Sequence, residues 1–191
     1  MTTVPEVPGG PGMPGLPPAG RPPARAAVIW FLAALAGSVA LGLLGGLIWG
    51  EFAPRATLQE IGAGTAQIVN VETRAFFGAD AWFCLIAVIA GLLTGILGYR
   101  FAVAPRTGAG RPAVAAALIA GAVAGTFVML WLGERIGMSA YNKNLASSPD
   151  GTLFPASLAL GAKSVLAFWP LFTAIVLLVA EWGTRPGDIR E

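Results

Sequence analysis

Five side chains have the types and spacing for joint polar chemistry: Glu51, Asp80, Glu134, Arg135 and Lys163. Each stands at one end of a long apolar run. Glu51 closes "GLIWGEFAPR" and Glu134 closes "MLWLGERIG", so both carboxylates lie just beyond a tryptophan, Trp49 and Trp131 respectively. Two carboxylates at one depth bind a cation, relay a proton or recognise a basic partner. Acid–base catalysis would further need both in one cleft with shifted pKa values and room for a substrate. The plainer alternative is that each glutamate only marks where a helix leaves an apolar phase. Asp80 and Lys163 open two other runs. Either they pair as opposite charges, or Asp80 caps its helix while Lys163 reaches outward along the surface. The second reading needs fewer assumptions.

The rest of the composition narrows the chemistry. The chain has no histidine, which excludes imidazole bases and His-ligated metals. Its single cysteine, Cys84, excludes a disulfide or thiolate cluster within one chain. The net charge of +2 is unclustered, so no nucleic-acid partner is expected. "GAGTA" (62–66) lacks the strand, helix and lysine of a phosphate loop. No nucleophile stands beside a base in a buried stretch. Neither enzymatic activity nor a cofactor is expected.

What must position these groups is an array of membrane helices. Of 191 residues, 55% are hydrophobic and 12% charged, against roughly a quarter charged in soluble domains. Four apolar runs predict spans at about 27–50, 81–100, 113–133 and 158–182, an all-α four-transmembrane-helix bundle within 26–183. In the first, Trp30 and Trp49 lie nineteen residues apart. That is roughly 28 Å along a helix, so both fit the two aromatic belts of a bilayer. Pro170, inside the fourth run, is expected to kink it and is a candidate hinge. Residues 1–25 hold eight of the fifteen prolines and no apolar cluster, which predicts a disordered leader. Residues 184–191 form a short tail.

Seven Lys and Arg flank one side of the spans (Arg21, Arg25, Arg100, Arg106, Arg111, Arg185, Arg190) and five the other. The bias predicts both termini in the cytoplasm and the two longer loops outside. In the first loop, two β-prone segments around Gly62-Ala63-Gly64 predict a small extracellular β-hairpin. The second, 136–156, is expected to be irregular apart from a turn at Pro149-Asp150-Gly151.

Close glycine pairs recur in the spans: Gly46 with Gly50, Gly91 with Gly95, Gly121 with Gly125. In lipid, small residues let helix backbones approach. They form either a homodimer face or the seams between the protein's own helices. With 26 glycines in the chain, the internal reading is preferred. Shifting the chain by 83 residues lays Ala33-Ala34-Leu35 on Ala116-Ala117-Leu118, Gly42 on Gly125, Gly50-Glu51 on Gly133-Glu134 and Gly78-Ala79 on Gly161-Ala162. This points to a tandem repeat of two helical hairpins.

"GLIWGEFAPR", "FFGADAWFCLIAVIAGLLTG", "GTFVMLWLGERIG" and "SLALGAKSVLAFWPLFTAIVLL" together resemble the corresponding blocks of an actinobacterial family of small four-helix membrane proteins, a domain of unknown function. Its members similarly open with a proline-rich cytoplasmic leader. The resemblance covers residues 27 to 183 and implies architecture and a high-GC Gram-positive source, without an activity. The expected role is a non-enzymatic accessory or scaffold subunit in the bacterial plasma membrane. Its partners are the lipid bilayer and either another membrane protein or further copies of itself. The alternative is a small transporter or channel with the Glu51 and Glu134 carboxylates at its outer mouth. The lack of charge in the middle third of every span counts against ion-coupled transport.

Overall fold

The computed structural model describes residues 24–62, 65–69, 74–105, 110–147, 149 and 151–184. Most of the proline-rich leader, the 185–191 tail and Arg106 lie outside them. In chain order the elements are α1 (Ala24–Phe52), β1 (Thr57–Gly62), β2 (Thr65–Ile68), α2 (Ala75–Gly98), α3 (Gly110–Arg135), α4 (Met138–Ser147), β3 (Leu153–Pro155) and α5 (Phe168–Gly183). A π-helical turn, Tyr99–Val103, extends α2, and a 3-10 turn, Lys163–Ala167, precedes α5. Four helices are long and apolar enough to cross a membrane: α1, α2 with its π turn, α3, and α5 with its 3-10 turn. Their outward faces carry Leu44, Leu92, Phe127 and Leu178, all exposed. So much exposed aliphatic surface has no counterpart on a water-soluble monomer and matches a lipid-facing girdle.

Small residues decide which helices meet. α1 packs chiefly on α3, and α2 chiefly on α5. Both pairs run parallel, because their contacts advance together along the chain. At the first seam, a Cβ at Gly121 would lie 2.8 Å from the Ser38 hydroxyl, and one at Gly46 2.8 Å from the Met129 carbonyl oxygen. Between these, Gly42 lies directly against the Gly125 backbone. At the second seam, Gly91 faces the Trp169 carbonyl at 2.7 Å and Gly95 faces Val176 at 2.6 Å by the same measure. Gly50 packs on Ile136. All six glycines singled out in the sequence therefore face the protein's own helices. Without a hydrophobic force between spans, such close approach is what dispersion and short backbone contacts require.

Polar side chains tie the second seam. The Trp169 indole N–H donates to Thr94 Oγ1 at 3.1 Å, and Thr173 Oγ1 donates to the Gly91 carbonyl at 3.2 Å. The core around them holds Phe83, Met129 and two fully buried tryptophans, Trp49 and Trp169. Trp49 thus departs from the belt position expected of it, lying within the bundle at 0% exposure. Exposed Trp82, Trp131 and Trp182 face outward instead.

Two further expectations are corrected. Pro170 itself is the third residue of α5, close behind the 3-10 turn Lys163–Ala167 that leads into the helix. The fourth span begins at Lys163, since 156–162 is not helical; Ala162 is extended (φ −96°, ψ 95°). The second loop carries a helix instead: Gly137 (φ +82°) turns the chain after α3, and α4 follows, uninterrupted by glycine or proline. The turn after it forms, with Gly151 at φ +85° and Thr152 N–H donating to the Pro149 carbonyl at 3.1 Å.

The hairpin is present, with Leu58 opposite Ile68 and Glu60 opposite Ala66. It gains β3 on its other edge, giving the order β2-β1-β3, antiparallel throughout. Leu58 and Glu60 point to the buried face of β1, as does Phe154 of β3, against which Tyr141 of α4 packs at 6.0 Å.

Candidate functional site

The end of the bundle that carries the sheet holds the polar residues first singled out, and among the described residues no hydrogen bond or ion pair joins them to one another. Glu51 is exposed and Glu134 half-buried. Among the described residues neither makes a hydrogen bond or ion pair. Arg135 lies over the Trp131 ring at 5.4 Å, a cation–π contact on the outside of α3. A group that joins α1 to α3 here is Arg55, which closes "GLIWGEFAPR" but is given no role by its sequence context. Its Nη2 donates to the Gly50 carbonyl at 2.6 Å and the Ile136 carbonyl at 3.4 Å. These lie at the C-terminal ends of α1 and α3, where carbonyls lack helical donors and the helix dipoles favour a cation. Gly137 sits against the same guanidinium, and a side chain there would displace it.

Asp80 neither caps its own helix nor pairs with Lys163. Helix α2 begins five residues earlier, at Ala75. The Asp80 carboxylate instead accepts the Gly161 N–H at 3.0 Å and the Ala162 N–H at 2.9 Å. It therefore fixes the chain just ahead of the 3-10 turn, a negative charge at the positive end of the fourth span. A Cβ at Gly161 would come within 3.1 Å of the same carboxylate. Lys163 is exposed, and among the described residues it has no ion pair.

One carboxylate escapes the sequence reading. Glu60 is 3% exposed, and its Oε2 has no donor among the described residues. Alternation along β1 places it on the same inward face as Leu58. The signal is legible in "ATLQEIG" once a charge on an apolar face is looked for.

The opposite end carries a connected network. Arg111, the second residue of α3, donates from Nη2 to Glu181 Oε2 at 2.7 Å and to the Tyr99 hydroxyl at 3.3 Å. The same hydroxyl donates to the Ala180 carbonyl at 3.2 Å and lies 3.0 Å from Thr184 Oγ1. The π turn presents Tyr99 here, closed by the Ala104 N–H on the Tyr99 carbonyl at 2.8 Å. Below the network lies an apolar crevice of about 320 Å³ between α3, α5 and the π turn. A second apolar groove of about 410 Å³ runs between α1 and α2 past Ser38 and Thr94.

Among the described residues no three His, Cys, Asp or Glu side chains gather as a metal site. The geometry defines a multi-helix apolar bundle with an ordered cap at one end and a polar network at the other. No family model, curated protein or solved structure matches the chain.

Proposed function

We propose that this protein is a non-enzymatic scaffold subunit of a bacterial plasma membrane, offering its lipid-facing helix surfaces and its sheet-bearing cap to another membrane protein. The observation that supports this reading is the filled axis of the bundle. Gly42 rests on the Gly125 backbone, and the Trp169 ring would lie 2.7 Å from a Cβ at Gly125. Further along the same seam the Trp49 ring occupies the space beside Gly133. Backbone and indole fill the line along which four helices would otherwise leave a path. A pull-down in mild detergent followed by mass spectrometry is expected to recover a second membrane protein in stoichiometric amount. A lone oligomer of this chain, or solute flux in proteoliposomes, would overturn the reading in favour of a small permease.

The reading includes a tandem duplication of a helical hairpin. It is supported by positions 83 apart in sequence meeting each other: Ser38 with Gly121, Gly42 with Gly125, Gly46 with Met129. Two equivalent helices related by a two-fold axis along the bundle touch at equivalent residues only where they straddle that axis. The arrangement therefore fits a parallel internal repeat.

The reading also puts both termini and the π turn in the cytoplasm, with the sheet outside, as the arginine bias favours. In a Cys84→Ser background, Thr65→Cys in intact cells should react with a membrane-impermeant maleimide. Ala104→Cys should react only after permeabilisation. The reverse pattern would invert the topology.

A further inference from the structure

The Arg111 network contains an imbalance. A guanidinium has five N–H donors. Nη2 serves Glu181 and Tyr99, whereas Nε is buried with no acceptor among the described residues, and Nη1 meets none there. A buried donor without an acceptor is costly, so an anion brought to this guanidinium would be stabilising. Arg111 also occupies the first turn of α3, where unbonded amides and the helix dipole favour an anion.

Directly beneath, the crevice is lined by Val103, Ile119 and Leu177, with Tyr99, Arg111 and Glu181 at its mouth. Its volume of about 320 Å³ falls at the lower end of the ~300–1,000 Å³ typical of ligand pockets. From Arg111 to Ile119 the wall rises roughly 12 Å. That is close to the roughly 15 Å depth of one leaflet's hydrocarbon. A second apolar crevice of about 270 Å³ lies on the other side of Tyr99, bounded by Ile96 and Val176, with Arg100 at its edge. Two arginines against one glutamate leave this rim with net positive charge.

We propose that the Arg111 crevice binds an anionic phospholipid, with the phosphate on the solvent-facing side of the Arg111 guanidinium and one acyl chain between α3 and α5. The site rests on the four helices being membrane spans and is independent of any protein partner. Anionic headgroups gather at such basic pockets between spans. The Glu181 carboxylate holds Arg111 at the mouth but competes with the phosphate for it.

The test is native mass spectrometry of the full chain in mild detergent, supplied with phosphatidylglycerol or phosphatidylcholine. The wild type should retain phosphatidylglycerol about tenfold better, the scale of one charge-assisted contact. Arg111→Gln should abolish that preference, whereas Glu181→Gln, which releases a further donor, should keep or increase it. If Arg111 and Glu181 formed only a structural ion pair, the two substitutions would act alike. Equal retention of both lipids by the wild type, a preference that survives Arg111→Gln, or its loss in Glu181→Gln would each overturn the proposal. Should Arg111→Gln fail to fold, the wild type and Glu181→Gln still decide it.

Discussion

Valine at Gly42 should unseat α1 from α3 and lower stability by about 3 kcal/mol or more, at the upper end of overpacking effects. The glycine lies against the Gly125 backbone, so an added Cβ meets main chain, which has no rotamer by which to yield. Nearby small residues continue the contact at Ser38 and Gly46, so relief by sliding one helix past the other would create new clashes above and below. Gly37 provides the matched control on the same helix, since a Cβ there would have no atom within 4 Å. Its replacement by valine makes the same intrinsic change in helix propensity, which favours valine over glycine, and should otherwise stay within ~0.5 kcal/mol of neutral. Thermal unfolding of the purified chain in mild detergent reads both. Gly125→Val should resemble Gly42→Val, because the two positions face each other across the proposed axis. If Gly37→Val and Gly42→Val destabilise equally, close packing at this seam is not what holds the bundle together.

How much of this is legible in the sequence depends on the range of the interactions. The four long helices follow from uninterrupted apolar runs, a local property, and the hairpin follows from β-prone residues around glycines. The 83-residue self-match aligns Gly42 with Gly125, and these two positions meet in the structure, a contact the alignment alone does not announce. Asp80 is misjudged from sequence because its partners are two backbone N–H groups about eighty residues away. No side-chain type at 161 or 162 advertises them. Arg55 is inconspicuous for a related reason: it binds carbonyls, which every residue has. Around Pro170 the apolar run is continuous in sequence, and the change from the 3-10 turn to α-helix two residues before it leaves no mark in residue type. Helix α4 is hidden because its polar sequence "MSAYNKNLAS" suggests a loop, although glycine and proline occur only outside it. Glu60 is within reach, since alternation puts it beside Leu58. Finding it takes attention to a carboxylate on an inward face.

Trp49 is the sharpest case, because its two readings predict different outcomes. A tryptophan in a lipid–water belt is exposed on the bundle and tolerates replacement; a core tryptophan does not. Here the ring has 0% exposure, meets Phe83 edge-on at 5.1 Å, and donates its indole N–H to the Ala79 carbonyl at 2.8 Å. It thereby joins α1 to α2, while its other edge lies against Gly133 of α3. Trp49→Ala should cost ~3–5 kcal/mol, as large-to-small changes at buried aromatics do. Trp49→Phe should cost about 1–2 kcal/mol for the lost hydrogen bond and part of the ring. Trp182, 76% exposed, supplies the belt-type comparison, and Trp182→Ala should be close to neutral. Unfolding in detergent that ranks Trp49 with Trp182 would restore the belt reading. The contact with Gly133 sharpens the test further. In the wild type, Gly133→Ala drives a methyl into the indole and should destabilise. In the Trp49→Ala background the same methyl enters the vacated space and should be neutral or stabilising. A double-mutant cycle should therefore give a coupling of at least ~1 kcal/mol, the range found for side chains in direct contact. Simple additivity would place Trp49 away from α3.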